Sequence, residues 1–268
     1  MHDDDKNVYA FAYGPCSLEH DGISLTEKTL YPFRNTVRFE INCDKAFALN
    51  LKVPTWAKGY AVAVNGEKVD AKAEGGFVKL ERAWKSGDAV EIEFGMETEV
   101  LTIDDSDASS KFPLAIRRGA LVYALHVPEK WIPTEGGTIT PMPDGWKNYR
   151  VNADYTDADA ADFHERIGLR RHQFSWNIAL DENLSPADIE VEERPVDGYV
   201  WENPPIVLHT KAYRAEYMNA APYQRKTFET FGKYQAVTGE IVPLTLEPYG
   251  CTNLRITYFP KADPKAIK

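Results

Sequence analysis

Hydrophobic and polar residues alternate in short runs along the first half of the chain, and turn-forming residues separate these runs. Four such runs lie at 46–53, 61–64, 77–81 and 89–94. Asn65-Gly66, which follows the second run, is typical of two-residue hairpin turns. Period-two alternation predicts strands with one buried face, so we expect these runs to form a half-buried antiparallel sheet.

The same pattern continues through most of the chain. Further strands are predicted at 8–13, 23–29, 36–41, 112–117, 121–125, 174–180, 189–192, 206–213, 241–246 and 253–259. Turn signals about every 8–12 residues are typical of sandwiches and barrels, and the absence of a long stripe with helical period argues against a helical bundle. We therefore predict an all-β fold with two antiparallel, sandwich-like modules.

Residues 127–170 interrupt the strand pattern with glycines, prolines and aspartates, and Ala158 to Ile167 is predicted as one short helix. A connection this long inside a compact domain is usually functional or makes contacts. The predicted organisation is a tag or truncation remnant at 1–6, a β-sandwich domain at 7–131, and a smaller β-domain at 132–268 that begins with an irregular linker at 132–170.

Composition and charge narrow the classes of partner. The chain has 268 residues, 43% of them hydrophobic and 27% charged, with a net charge of −10. Diffuse acidity argues against nucleic acid and against an anionic membrane surface. No apolar run reaches the roughly 18–20 residues of a membrane span, and no apolar h-region lies at the N-terminus, where the sequence is interpreted as a tag or truncation remnant. If the chain is part of a longer protein, we expect it to be periplasmic or secreted.

Six segments, in order, resemble glycoside hydrolase family 127 and its relatives, formerly the DUF1680 group. The segment 49–57, LNLKVPTWA, is similar to the family's L-x-L-x-[IV]-P-x-W-A pattern, and 118–125 is similar to R-G-P-L-V-Y-x-L with Ala120 in place of the usual proline. The other matching segments are 64–67, 84–90, 176–180 and 247–256.

This resemblance implies a context rather than an active site. The family is known for β-L-arabinofuranosidase activity, and its members place a glutamate and a zinc-bound cysteine cluster in an N-terminal (α/α) barrel. The segments matched here belong to the β-sandwich domains that follow that barrel, and Cys16, Cys43 and Cys251 do not map onto the zinc cluster. We therefore expect no catalytic residue, no metal and no cofactor in this chain. The cysteines are interpreted as buried free thiols, with one disulfide plus a free thiol as the alternative.

Three aromatic residues of the irregular stretch, Trp131, Trp146 and Tyr149, are candidate carbohydrate-binding residues. Flat aromatic rings stack on sugar faces, so these residues are suited to a sugar platform or to the lip of a neighbouring cleft. The alternative interpretation is that they fill a hydrophobic seam between domains. Trp56, Trp84 and Trp176 lie in or beside predicted strands and are interpreted as core.

Other polar residues give weaker signals. Asp104, Asp105 and Asp107 are interpreted as a solvated turn rather than paired catalytic carboxylates, because neighbours on one loop do not define the separation that glycosidases need. Asp154, Asp157, Asp159 and Asp162 lack the glycine and spacing of a calcium loop and suit a helix N-terminus. His164, His172 and His209 form no His-Glu-x-x-His motif.

The leading hypothesis is a non-catalytic β-sandwich accessory region of a glycoside hydrolase that acts on plant-type glycans. It would support the catalytic (α/α) barrel of the same or a neighbouring chain, or mediate dimerisation with a second copy. One alternative is a stand-alone carbohydrate-binding module whose glycan contacts are the three linker aromatics. The other is a small hydrolase that uses carboxylates between residues 154 and 165.

Overall fold

The structure is a computed structural model, and it describes residues 2–3, 6–102, 113–133, 149–153, 178–215 and 237–262. Apart from two 3₁₀ turns, Pro186–Asp188 and Tyr249–Cys251, the regular elements of these residues are strands. The prediction of an all-β fold is confirmed. No helix in the described part of the chain is long and apolar enough to cross a membrane.

The chain forms two compact units, the first from Met1–Glu97 with Arg118–Leu121 and the second from Thr98–Arg117 with Val122–Lys268. The strands up to Phe94 are β1 His2–Asp3, β2 Asn7–Ala10, β3 Cys16–His20, β4 Ile23–Thr29, β5 Thr36–Ile41, β6 Ala46–Lys52, β7 Tyr60–Val64, β8 Glu67–Val69, β9 Ala73–Glu74, β10 Phe77–Ala83 and β11 Ala89–Phe94. The later strands are β12 Thr98–Thr102, β13 Leu114–Arg118, β14 Leu121–His126, β15 Glu129–Pro133, β16 Tyr149–Ala153, β17 Ile178–Ala179, β18 Glu190–Glu193, β19 Ile206–Ala215, β20 Val237–Pro248 and β21 Arg255–Ile256.

The first unit is a sandwich of a five-stranded sheet, in the order β1-β2-β6-β10-β9, and a six-stranded sheet, in the order β3-β4-β5-β11-β7-β8. Its core joins inward-facing residues of both sheets, such as Leu49 and Val78 from the first and Phe39 and Ile92 from the second, each fully buried. Alternate residues of a strand point to opposite faces, so the alternation seen in the sequence becomes one apolar layer between the sheets.

The four runs between residues 46 and 94 do form strands, but the prediction that they share one sheet is wrong. β6 and β10 pair with each other in the five-stranded sheet, whereas β7 and β11 pair in the six-stranded sheet. The Asn65-Gly66 turn, with φ of 53° and 83°, closes a short hairpin of β7 with β8. The chain then crosses to the opposite sheet, where β10 pairs with β6 and its apolar face meets the same core.

The second unit contains an eight-stranded sheet whose main order is β12-β13-β14-β20-β19-β17, with β18 paired to β19 and β21 paired to β14. The long strands β19 and β20 form its centre, and they pair from Leu208↔Leu246 to Ala215↔Val237. β15 and β16 form a separate two-stranded ladder.

Part of the irregular stretch predicted at 127–170, including residues of the linker at 132–170, is strand. Glu129–Pro133 pairs with Tyr149–Ala153. This pairing was not predicted, because antiparallel strands joined by a long connection leave no turn motif in the local sequence. The predicted helix at 158–167 lies outside the described residues. The two compact units change over at Glu97 and Thr98, and a domain boundary near residue 131 stays a prediction.

Candidate functional site

The three predicted carbohydrate-binding residues fall on or between β15 and β16. Trp131 pairs with Val151 and Tyr149 pairs with Pro133, so the two aromatic positions belong to the same two-stranded ladder. Trp146 lies outside the described residues. The fold thus brings two of the three positions together at the level of the backbone, and their role in sugar binding stays a prediction.

Most of the other polar candidates also lie outside the described residues. These are Asp104, Asp105, Asp107, Asp154, Asp157, Asp159, Asp162, His164 and His172. Among the residues that the structure does describe, no group of three or more His, Cys, Asp or Glu side chains could hold a metal ion. His209 is described, and it belongs to a polar cluster.

This polar cluster consists of Arg194, Glu192, His209 and Thr245, which follow one another across the sheet of the second unit. Two hydrogen bonds of 3.0 Å join the Arg194 guanidinium to the two carboxylate oxygens of Glu192. Glu192 Oε2 lies 2.6 Å from His209 Nε2, and His209 Nδ1 lies 3.1 Å from Thr245 Oγ1. Strand pairing explains the order, because β18, β19 and β20 are neighbours and His209 pairs directly with Thr245.

The charge balance of the polar cluster favours an ionised Glu192. Hydrogen bonds from Arg194, and then from His209, lower the pKa of the Glu192 carboxyl to about 2. The same carboxylate raises the pKa of the Arg194 guanidinium. Glu192 is therefore charged throughout the physiological range, and its lone pairs are committed to two cationic or hydrogen-bonding neighbours.

A second group of polar side chains lies where β14 meets β20 and β21. His126 Nδ1 is 3.5 Å from Glu247 Oε2, and His126 Nε2 is 3.9 Å from Glu129 Oε2. Glu129 also accepts hydrogen bonds from Asn253 Nδ2 at 2.8 Å and from the Leu254 amide at 3.2 Å. These bonds attach the start of β15 to the turn before β21.

A cavity of about 470 Å³ opens beside this second group. β14 pairs with β20 through Tyr123 and Ala124, and its next two residues pair with β21 instead. The cavity is lined by Leu125 and His126 of β14, by residues of β20, and by Ile178 and Arg214. Its polar lining comes from His126, Arg214, Thr245 and Glu247.

A carboxylate, an imidazole and a hydroxyl in series, as in Glu192, His209 and Thr245, resemble the arrangement that activates a hydroxyl nucleophile. However, Arg194 neutralises Glu192, which weakens its support for a protonated imidazole. His209 and Thr245 also lie in the middle of a paired ladder, where backbone N–H groups serve strand pairing instead of a developing oxyanion. The polar cluster is thus better suited to holding strands in register than to catalysis.

The cysteines are unpaired, which excludes a disulfide in this structure. The prediction that all three are buried is wrong, because Cys16 is exposed and Cys43 and Cys251 are half-buried. Cys16 lies on β3, which is the edge strand of its sheet among the described residues. Burial, and then the charge of Glu247, raises the pKa of the Cys251 thiol to about 12, so this thiol is a poor nucleophile at neutral pH.

Two carboxylates, Glu192 and the buried Glu27 of the first unit, belong to no sequence motif. Glu27 is only 1% exposed. Glu27 accepts a hydrogen bond of 2.8 Å from the Gly14 amide, and burial raises its pKa. Its position has a sequence signal, because Ile23 and Leu25 precede it at intervals of two and define the buried face of β4. Parity along the strand therefore places Glu27 on the inner face.

Comparison with known proteins relates the first unit to a known domain family. Residues 7–96 match the family model described as β-L-arabinofuranosidase, GH127 middle domain. The predicted family resemblance is confirmed for this segment. No curated protein matches the chain.

Solved structures extend the likeness of fold to nearly the whole chain. A glycoside hydrolase matches with a TM-score of 0.58 at 18% identity, over 95% of this chain and 36% of its own. A GH127 β-L-arabinofuranosidase from Geobacillus stearothermophilus T6 matches with a TM-score of 0.56 at 19% identity, over 97% of this chain and 34% of its own. A further GH127 β-arabinofuranosidase matches with a TM-score of 0.59 at 20% identity, over 97% and 36%. This GH127-like chain thus spans about a third of the length of the structures that it matches.

Proposed function

We propose that this chain is the non-catalytic β-sandwich accessory region of a GH127-like glycoside hydrolase. One observation carries the proposal: residues 7–96 match the family's middle domain, while the whole chain covers only about a third of the matched enzymes. In the resembled family, catalysis belongs to an (α/α) barrel, and the described elements of this chain are strands and two short turns.

The substrate class comes from the relatives. Two of the matched structures are named as arabinofuranosidases, which supports glycans that contain L-arabinofuranose, of the kind found in plant material, as the target of the complete enzyme. The accessory region would hold the catalytic barrel of the same or a neighbouring chain, shape one wall of its cleft, or bring two copies together.

The first experiment uses the purified chain alone. It is incubated with a chromogenic β-L-arabinofuranoside, and release of the chromophore is followed against a protein-free blank. We expect no release above the blank. Sustained turnover would contradict the proposal and would support a small hydrolase with carboxylates between residues 154 and 165.

Sedimentation velocity on the same sample tests the choice of partner. A dimer at micromolar concentration supports a role in dimerisation. A monomer supports binding to the catalytic barrel as the accessory role.

A stand-alone carbohydrate-binding module is the second candidate, and the pairing of β15 with β16 favours it. That pairing places the positions of Trp131 and Tyr149 in one ladder, with Trp146 in the connection between the strands. Replacement of Trp131, Trp146 and Tyr149 by alanine together should abolish sugar binding if these residues form the site. Unchanged affinity in the triple variant would exclude them.

A further inference from the structure

The outer face of the five-stranded sheet carries three aromatic residues that the sequence analysis did not single out. Val8 and Ala10 of β2 are fully buried in the sandwich core, so Tyr9 and Phe11, which alternate with them, lie on the opposite side. Phe77, the first residue of β10, lies on this same outer face. We call Tyr9, Phe11 and Phe77 the aromatic platform.

The rings of the aromatic platform contact one another. Tyr9 and Phe11 stack with centroids 5.6 Å apart and planes inclined by 21°. Phe77 meets both of them edge-on, at 5.7 Å from Tyr9 and 5.3 Å from Phe11. Phe11 is nevertheless 59% exposed, so much of its ring surface remains open to solvent. The open face of the Phe11 ring is available for stacking with a ligand.

Polar side chains frame the aromatic platform in an order that strand register determines. Lys52 of β6 pairs with Phe77, and its Nζ lies 4.7 Å from the centre of the Phe77 ring. In the neighbouring row, Tyr9, Asn50 and Lys79 lie side by side, because Asn50 pairs with both of the others. The Lys52 ammonium group thus lies beside an aromatic ring, where it can donate hydrogen bonds to the hydroxyl groups of a stacked sugar.

Asn50 gives the aromatic platform a fixed base. Its side chain is only 4% exposed, and its amide group donates to the carbonyl oxygens of Val8 and Ala48 at 3.2 and 3.4 Å. The bond to Val8 connects β6 to β2, and Tyr9 of β2 and Phe11, directly after β2, carry two of the three rings. A site whose rings are held in place loses little conformational entropy when a ligand binds.

The size and the charged border of the aromatic platform favour a sugar over a protein. A stable protein interface buries about 800 Å² on each partner, whereas three adjacent rings offer a much smaller apolar area. Lys79 and Glu81 form an ion pair of 2.7 Å directly beside the platform, and a protein partner would have to desolvate this pair. A mono- or disaccharide covers the rings and leaves the ion pair in water.

We propose that the aromatic platform is a binding site for a neutral oligosaccharide, with the sugar ring stacked on Phe11 and its hydroxyl groups bound by Lys52. The class of ligand rests on the proposed function, because it is the named relatives that point to glycans. The site itself rests on ring geometry, exposure and strand register. It would give a complete enzyme an additional contact with its glycan.

The test is an NMR titration of the full ¹⁵N-labelled chain with an oligosaccharide that contains L-arabinofuranose, and in parallel with a cello-oligosaccharide. We expect saturable shifts of the amide signals of residues 9–11, 50–52 and 77–79 with at least one of the two sugars. Replacement F11A should weaken binding by about fivefold, since stacking on one aromatic ring contributes that order of affinity.

The matched control is Y199A, which removes an aromatic side chain that is 62% exposed in the second unit. It should leave the affinity unchanged. Thermal unfolding by circular dichroism verifies that both variants fold.

Three results would overturn the proposal: no shifts with either sugar, shifts confined to other residues, or equal affinity of F11A and the wild-type chain. Shifts confined to the region of residues 131–149 would assign sugar binding to the linker aromatics instead. If the chain binds a catalytic barrel but no sugar, the proposed function stands and this site fails. If it binds sugar at the aromatic platform but no barrel, this site stands and the proposed support of a barrel fails.

Discussion

Trp84 belongs to a segment through which the sequence resembles GH127 enzymes, and its environment predicts a purely structural role. The side chain is 2% exposed, its indole N–H donates to the Phe47 carbonyl at 3.0 Å, and its ring lies 5.8 Å from the Phe47 ring. Replacement W84F removes that hydrogen bond and part of the buried ring. The change keeps an aromatic side chain, so the strand pattern is unaffected.

The expected cost follows from these two losses. One hydrogen bond contributes about 1 kcal/mol to stability, and the volume left by the smaller ring costs about 1–2 kcal/mol. We therefore expect W84F to lower the free energy of unfolding of the first unit by about 2–3 kcal/mol. Urea unfolding followed by far-UV circular dichroism measures this value without relying on tryptophan fluorescence.

The control variant is W56F. Trp56 is half-buried and contacts Tyr31 and Phe94 at 6.3 and 5.8 Å, and a phenyl ring retains most of that contact. Its cost should stay below about 1 kcal/mol. If W84F is within about 0.5 kcal/mol of the wild-type chain, or if W56F costs as much as W84F, the assignment of Trp84 to the structural core is wrong.

Three further predictions concern single positions. Burial raises the pKa of Glu27 above its unfolded value of about 4.3, so ionisation of Glu27 lowers the stability of the fold as the pH rises above that value. E27Q should therefore be more stable than wild type at pH 7 in thermal unfolding, and the difference should vanish below about pH 4. The pKa shift of Glu192 has the opposite sign, because its folded pKa of about 2 lies below the unfolded value. E192Q should therefore be less stable than wild type at pH 7, and this deficit should fade as the pH falls from about 4 to 2. Equal stability at pH 7 would contradict a stabilising ion pair at Glu192. A Cβ at Gly250 would lie 2.5 Å from the Trp201 ring, so G250A should cost about 1–3 kcal/mol in urea unfolding, whereas G14A, with no atom within 4 Å of its Cβ, should cost much less; equal losses would show that the Trp201 contact is not the cause.

Strand positions were predictable from the sequence where alternation and turn chemistry agree. β4 and β5 occupy the residues predicted for them, Ile23–Thr29 and Thr36–Ile41. β3, at Cys16–His20, was not predicted, because it lies at a sheet edge and has no buried residue to create a pattern. The Asp21-Gly22 turn that closes its hairpin, with φ of 47° and 73°, is the signal that could have revealed it.

Pairing between distant strands was not predictable in the same way. β2 runs parallel to β6, with Tyr9 beside Asn50, although 40 residues separate them in the sequence. Local alternation says which face of a strand is buried, and it does not specify the neighbour on either side. The aromatic platform depends on this pairing, so its members appeared in the sequence only as separate aromatic residues.

The polar cluster of the second unit was missed for the same reason. His209 was recognised as a candidate, but its partners Glu192 and Thr245 lie on other strands and have no fixed spacing from it. A histidine beside a carboxylate on a neighbouring strand leaves no motif in the sequence. By contrast, the family resemblance was readable, because several of its segments contain turns, such as Asn65-Gly66 and Arg118-Gly119, whose residue types are constrained locally.

The central claim, a non-catalytic region that supports a GH127-like barrel, is tested most directly by reconstitution. The barrel part of the Geobacillus stearothermophilus relative is produced without the third of its chain that resembles this protein, and its activity on a chromogenic β-L-arabinofuranoside and its melting temperature are measured with and without this chain. We expect no turnover by this chain alone, and a rise in both the activity and the melting temperature of the barrel, saturating at a fixed stoichiometry, when the chain is added. Turnover by this chain alone, or barrel activity and melting temperature that do not change at any concentration of added chain, would contradict it.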